Sequence, residues 1–213
     1  NYIWDALAAA LLCLPLERRT GAKILVLGLG GGSAARILRS MAPAVDIVGV
    51  EFDPDVVSAA REHLDLDTLG VEVICADALQ HLRQERRSFD LIIDDVFIGC
   101  GDTLRKPDWL PCPGHALALQ RLRPNGLLVS NTFRETKFIG RSLLQQGFAG
   151  LLCIWMVNCN NRVLVAGPGG CGARKLSEAL QQCDVLSRSS NLRVCDYGSD
   201  EMDWPLDGME ELT

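Results

Sequence analysis

Apolar and polar positions along the chain predict a regular alternation of strands and helices. KILVLG (23–28) is a continuous apolar run, the pattern of a strand buried on both faces. A helical spacing follows over 33–42 and stops at Pro43. Strand patterns recur at 46–51, 71–76, 89–94, 126–132, 151–157 and 162–167. Helical patterns fill 54–64, 78–85, 115–122, 137–147 and 173–183. Strands and helices alternating in this way predict an α/β protein, a Rossmann-like doubly wound parallel sheet with helices on both faces. The last two strands are joined by Asn158-Cys159-Asn160-Asn161, too short for a parallel crossover, so they form an antiparallel hairpin.

The predicted sheet is therefore seven-stranded, mostly parallel and closed by a hairpin, which resembles the architecture of S-adenosylmethionine-dependent methyltransferases. Residues 98–114 have no periodicity and many turn formers. They follow the fourth strand at the carboxyl edge of the sheet, where ligands of open α/β sheets bind. The apolar run at 6–16 is about half of the ~20 residues that span a bilayer and predicts a packed helix. From Tyr197 to Thr213 the chain carries six acids and no base, and a solvated tail is expected there. The expected organisation is one domain over 1–196 with an acidic tail over 197–213.

Composition narrows the function classes. The 213 residues are 48% hydrophobic with a net charge of −6, and Lys and Arg do not cluster beyond short pairs. Nucleic acid is a poor partner for that surface, and no membrane association is expected. Nine cysteines without a CxxC, several inside apolar strand patterns, suit a reduced, cytoplasmic setting. Cys100, Cys112 and His115 offer three metal ligands without an evident fourth, so no metal is expected.

Candidate chemistry concentrates at strand ends. Gly28, Gly30, Gly31 and Gly32 between a strand and a helix let the backbone bend and admit a ligand without Cβ interference. The frame Gly30, Gly32, Ala35 also satisfies GxGxxA, which leaves a dinucleotide open. Glu51, 19 residues beyond Gly32, suits ribose hydroxyls in either nucleotide. Asp53 reads as a helix cap. Asp77 ends the third strand, where it can accept from an adenine amino group, cap helix 78–85, or do both. Asp94 and Asp95 are adjacent, so they point to opposite faces. Asp95 is the candidate to orient or deprotonate an acceptor, or else caps the following turn, and Phe97, Trp109 and Asn131 either shape the acceptor pocket or pack in the core.

VLGLGGGSAARILR, GVEFDPDVVSAAREHL, ADALQHL and FDLIIDDVF together resemble the spermidine synthase-like branch of class I S-adenosylmethionine-binding proteins, over roughly residues 20 to 167. The resemblance implies that Gly28 to Gly32 line the methionine and ribose, that Glu51 with Phe52 binds the ribose side, and that Asp77 with Ala78 holds adenine. It places Asp95 beside the reacting centre. The chain departs from aminopropyltransferases in two motifs. Their GGGDG aspartate aligns with Gly31, and the second aspartate of their DSSDP aligns with Ile98. Their amino-terminal β-hairpin domain has no counterpart in these residues. GLGGGS is closer to methyltransferases of the same branch, including the carboxyl-terminal domain of the enzyme that methylates the amino terminus of elongation factor 1A. The expected function is methyl transfer from S-adenosylmethionine, with S-adenosylhomocysteine as product, to a protein or small-molecule amine. An aminopropyltransferase and a catalytically silent nucleoside-binding domain are the alternatives, and a homodimer is allowed.

Overall fold

The computed structural model describes residues 2–148, 150–157, 159–167, 171–187 and 191–197. All seven predicted strands form: β1 Lys23–Leu27, β2 Asp46–Glu51, β3 Val71–Cys75, β4 Phe89–Asp94, β5 Leu122–Thr132, β6 Gly150–Met156 and β7 Arg162–Gly167. An eighth, β8 Leu192–Asp196, joins at the edge, so the sheet has eight strands in the order β3-β2-β1-β4-β5-β7-β6-β8. β1 to β5 are parallel, while β7 runs antiparallel between β5 and β6, and β8 is antiparallel to β6. The sequence pattern does not announce β8, because LRVCD is short and lies on an edge with two of its five residues exposed and none fully buried.

Helices cover both faces. They are α1 Ile3–Ala9, α2 Leu16–Arg19, α3 Ser33–Met41, α4 Pro54–His63, α5 Ala78–Gln84, α6 Gly114–Leu119, α7 Thr136–Gln145 and α8 Ala173–Gln182. Side chains alternate across the sheet. Ile24, Val26, Ile47, Leu91 and Ile93 pack with Ala6–Leu12, Ala35 and Leu38 in one core. Leu25, Leu27, Val48, Val50 and Ile92 pack with Leu82, Ala118, Ile139 and Leu143 in the other.

The apolar run at 6–16 is packed inside as far as Leu14, with Pro15 and Leu16 exposed, and is not one helix. α1 tightens into a 3₁₀ turn at Ala10–Cys13, and the chain breaks at Leu14-Pro15 before α2. A proline at that point disfavours helical backbone in the residue before it. Among the described residues no helix is long and apolar enough to cross a membrane. Tyr197, assigned from sequence to the tail, is buried against α7, and its amide donates to Leu151. The remainder of the expected tail lies outside the described residues.

Both ends of β4 are fastened by buried carboxylates. At the start, Asp90 accepts from the Lys23 amide at 2.9 Å, from Arg18 at 2.5 Å and from Arg123 at 2.8 Å. Burial alone raises a carboxyl pKa, but these donors outweigh it and hold Asp90 below its ordinary value. The stability this contributes is present above the unfolded pKa of about 3.9 and is lost as the pH falls through and below it. Asp90→Asn keeps the shape and removes the charge, with both arginine partners partly exposed. It is expected to cost about 2–3 kcal/mol at neutral pH. Chemical denaturation at pH 7 and pH 3 checks this, because the variant should lose less stability on acidification than the parent.

Candidate active site

At the carboxyl edge of β1 to β5 lies a cleft of about 560 Å³. Its floor is the glycine turn after β1. Gly28 has φ +81°, and a Cβ there would stand 2.6 Å from the carbonyl oxygen of Asp95, so glycine lets β1 and β4 close together. Gly30 has φ +53°, yet a Cβ on it meets nothing within 4 Å and would project into open space. Gly31 also lines the cleft. Gly32, grouped with them from the sequence, does not: its open side faces Leu66 and Leu69 in the core, and it begins α3.

Glu51 shapes this turn directly. Its Oε2 accepts from the Gly30 amide at 2.8 Å, and Oε1 accepts from the amides of Phe52 and Asp53 at 2.9 and 3.1 Å. Each carboxylate oxygen has two lone-pair sites, so acceptor capacity remains toward the cleft. Asp53 caps α4 through the Asp55 amide, and Asp77 caps α5 through the Gln80 amide at 2.8 Å. Asp77 and Ala78 line the cleft as well, and Phe52 stands exposed at its rim.

The strand-end pair Asp94 and Asp95 divides as expected, one to each face, but Asp94 is far from idle. It is 1% exposed and gathers four donors. Lys106 Nζ and the Val96 amide reach Oδ1 at 2.8 and 3.2 Å; His115 Nε2 and Ser130 Oγ reach Oδ2 at 3.0 and 2.8 Å. Burial opposes the charge, yet Lys106 and His115 hold the Asp94 carboxyl well below the usual range. Lys106 is itself buried, with its amide donating to Glu135 and its ammonium 4.4 Å from the Phe97 ring centroid. Cys100 and Cys112 are exposed, whereas His115 is committed to Asp94.

Asp95 opens to the cleft. Its Oδ1 accepts from Asn131 Nδ2 at 2.7 Å, Asn131 in turn accepts from Asn161 at 3.0 Å, and the Trp4 side chain donates to Asp95 from α1. Burial is the largest influence on Asp95 and lifts its pKa to about 6, while the Asn131 bond and Lys106 restrain the rise. Phe97 and Trp109, expected from the sequence to shape an acceptor pocket, line the cleft together with Ile3, Ile98, Leu104 and Pro107. Trp4, Ile3 and Asn161 were not singled out from sequence. Trp4 precedes the apolar run and Asn161 reads as turn chemistry, so only the fold brings them to Asp95.

A second hollow of about 610 Å³ lies at the opposite edge of the sheet, near Cys13, Leu127 and Cys171. It is slightly larger, but Glu51, Asp77 and Asp95 all open into the first cleft.

Residues 24–107 match the family described as methyltransferase domain. The chain carries a class I methyltransferase fold. Human methyltransferase-like protein 13, solved in complex with SAH, superposes with a TM-score of 0.71 at 22% identity, over 96% of this chain and 97% of that one. A probable spermidine synthase from Corynebacterium glutamicum gives 0.69 at 20% identity, over 91% and 73% of the two chains. Among curated proteins, the polyamine aminopropyltransferase of Chromobacterium violaceum is 34% identical over 128 residues, 56% of this chain and 47% of that protein. A probable polyamine aminopropyl transferase of Bifidobacterium longum is 26% identical over 193 residues, 84% of this chain and 41% of that protein. The chain thus spans less than half the length of these two relatives.

The methyltransferase fold makes its two cleft glycines separable. Gly28→Ala forces a Cβ onto backbone at positive φ and is expected to cost more than about 2 kcal/mol. Gly30→Ala meets no atom and is expected to cost only about 1–2 kcal/mol, the left-handed penalty. Urea denaturation of the two variants checks the order; equal losses would contradict the placement of the turn.

Proposed function

We propose that this chain is an S-adenosylmethionine-dependent methyltransferase acting on a protein or small-molecule amine. The observation that carries the reading is the charge layout of the cleft. Acids stand at the ends of β2 and β3 for a nucleoside, and one carboxylate, Asp95, stands where the acceptor side begins. Apart from the neutral Asn131 and Asn161, the rest of that side is apolar or aromatic.

The residues present fit the donor. Gly30 leaves open space beside the turn that a Cβ would occupy, Glu51 keeps acceptor capacity for ribose hydroxyls, and Asp77 with Ala78 borders the place for adenine. When bound, the donor's sulfonium supplies a methyl carbon to a nucleophile by in-line displacement, a reaction that asks for positioning above all. Asp95, anionic above about pH 6, holds an amine by charge and hydrogen bond and receives the proton it releases. Asn131 and Trp4 fix the carboxylate's orientation. Trp109, Leu104 and Pro107 narrow the approach of water.

The names of the curated relatives favour a second reading, aminopropyl transfer to a polyamine. A polycation in a cleft needs several anionic partners. Ile98 stands where the second motif aspartate would be, and Gly31 stands where the aspartate of the glycine motif would be. Methyl transfer suits this cleft better. Incubating the protein and cell extract with S-adenosylmethionine or its decarboxylated form, then reading product masses, tests the choice. Methyl increments from the intact donor are expected; aminopropyl increments from the decarboxylated one alone would reverse it.

Two substitutions test the donor site. Glu51→Gln and Asp77→Ala each remove an ionised acceptor and are expected to weaken S-adenosylhomocysteine by about 1.5–3 kcal/mol, roughly ten- to a hundredfold or slightly more. Isothermal titration calorimetry reads the loss, and parental affinity in both variants would move the site elsewhere.

A further inference from the structure

The cluster beneath the cleft belongs to no step of the donor site. Lys106 comes from the excursion after β4, in which Ile98 and Arg105 pair backbone to backbone at 2.9 and 3.0 Å. It returns at the base of that hairpin to bury its ammonium beside Asp94, 2.8 Å from Oδ1 and 3.3 Å from the Asp94 carbonyl. Phe97, one wall of the acceptor side, covers it. A lysine this deeply buried needs a purpose beyond fastening a loop, since apolar packing would do that at less desolvation cost.

We infer that Lys106 is a positioning residue for Asp95: it offsets the neighbouring Asp94 charge and so keeps the Asp95 carboxylate anionic beneath the acceptor. The charged groups around Asp95 are Lys106 from the hairpin base and Asp94 from β4, with His115 of α6 against the far oxygen of Asp94. Asn131 of β5 and Trp4 of α1 contribute neutral donors, and Glu51 and Asp77 share the cleft. Two like charges on consecutive residues raise each other's pKa, and a cation paired to one of them, as Lys106 is to Asp94, weakens that effect on the other. Lys106 lowers the Asp95 pKa and Asp94 raises it, in agreement with the geometry. The value of an anionic Asp95 to an amine rests on the methyltransferase reading, but the electrostatic link does not.

Carboxyl carbon NMR of Asp95 tests the link in the intact chain. Lys106→Met is expected to raise the Asp95 midpoint by about one pH unit or more, and Asp94→Asn to lower it. The rise in Lys106→Met is the signature, because a lysine that only braces the loop would leave the Asp95 midpoint in place, whereas Asp94→Asn lowers it in either case by removing a like charge. An unchanged midpoint in folded Lys106→Met, or shifts of one sign in both, overturns the inference. If Lys106→Met does not fold, Lys106→Gln, which keeps a polar donor and removes the charge, takes its place: a raised Asp95 midpoint supports the role, and an unchanged or lower one ends it. Calorimetry with S-adenosylhomocysteine on the parent separates the two claims. Opposite shifts without binding leave Lys106 in place and remove the methyltransferase reading; binding without shifts does the reverse.

Discussion

A carboxylate buried as deeply as Asp94 persists only if every lone pair is answered, and the end of β4 is organised around that demand. Four donors come from four places: Val96 in the chain itself, Lys106 from the hairpin base, His115 from α6 and Ser130 from β5. Satisfied networks of this kind fix a single arrangement. Because strand residues alternate, pinning Asp94 on one face aims Asp95 at the other, into the cleft. The glycine turn then closes on this fixed point, with Gly28 against the Asp95 carbonyl. The donor side and the acceptor side therefore share one anchor.

The cleft itself is built mostly from backbone and from acids that work twice. Glu51 holds the Gly30, Phe52 and Asp53 amides, and Asp77 caps α5, so each acid is locked by the element it stabilises. A nucleoside entering such a site meets groups already oriented, and little conformational entropy is lost on binding. Asp95 is held by Asn131 and Trp4 in the same way, and Asn131 is held by Asn161. Helix α1 contributes to the site through Trp4 although it is remote in sequence from every other site residue.

Much of this was legible in the sequence because it rests on local rules. Continuous apolar runs marked the buried strands, a four-residue connection required the hairpin, and acids placed just after strands marked the cleft. The unread parts depend on distant contacts. β8 is an edge strand whose pattern is too short to stand out, and Pro15 divides the buried N-terminal run after a 3₁₀ turn. Gly32 belongs to the same glycine run as its neighbours, yet packing against Leu66 turns it to the core. Alternation placed Asp94 on the face away from the cleft; nothing in the local pattern shows that Lys106, twelve residues on, returns to meet it. His115 likewise reads as a helix residue, and only the packing of α6 against β5 and α5 brings it to Asp94.

The proposed function assigns the cleft acids to a nucleoside and the single carboxylate at Asp95 to an amine acceptor. The measurement that tests this most directly is calorimetric titration of the chain with S-adenosylmethionine, its decarboxylated form and NAD in parallel. The account predicts saturable one-to-one binding of S-adenosylmethionine, tighter than either of the others. Heat from the decarboxylated form or from NAD, with none from S-adenosylmethionine, would contradict it.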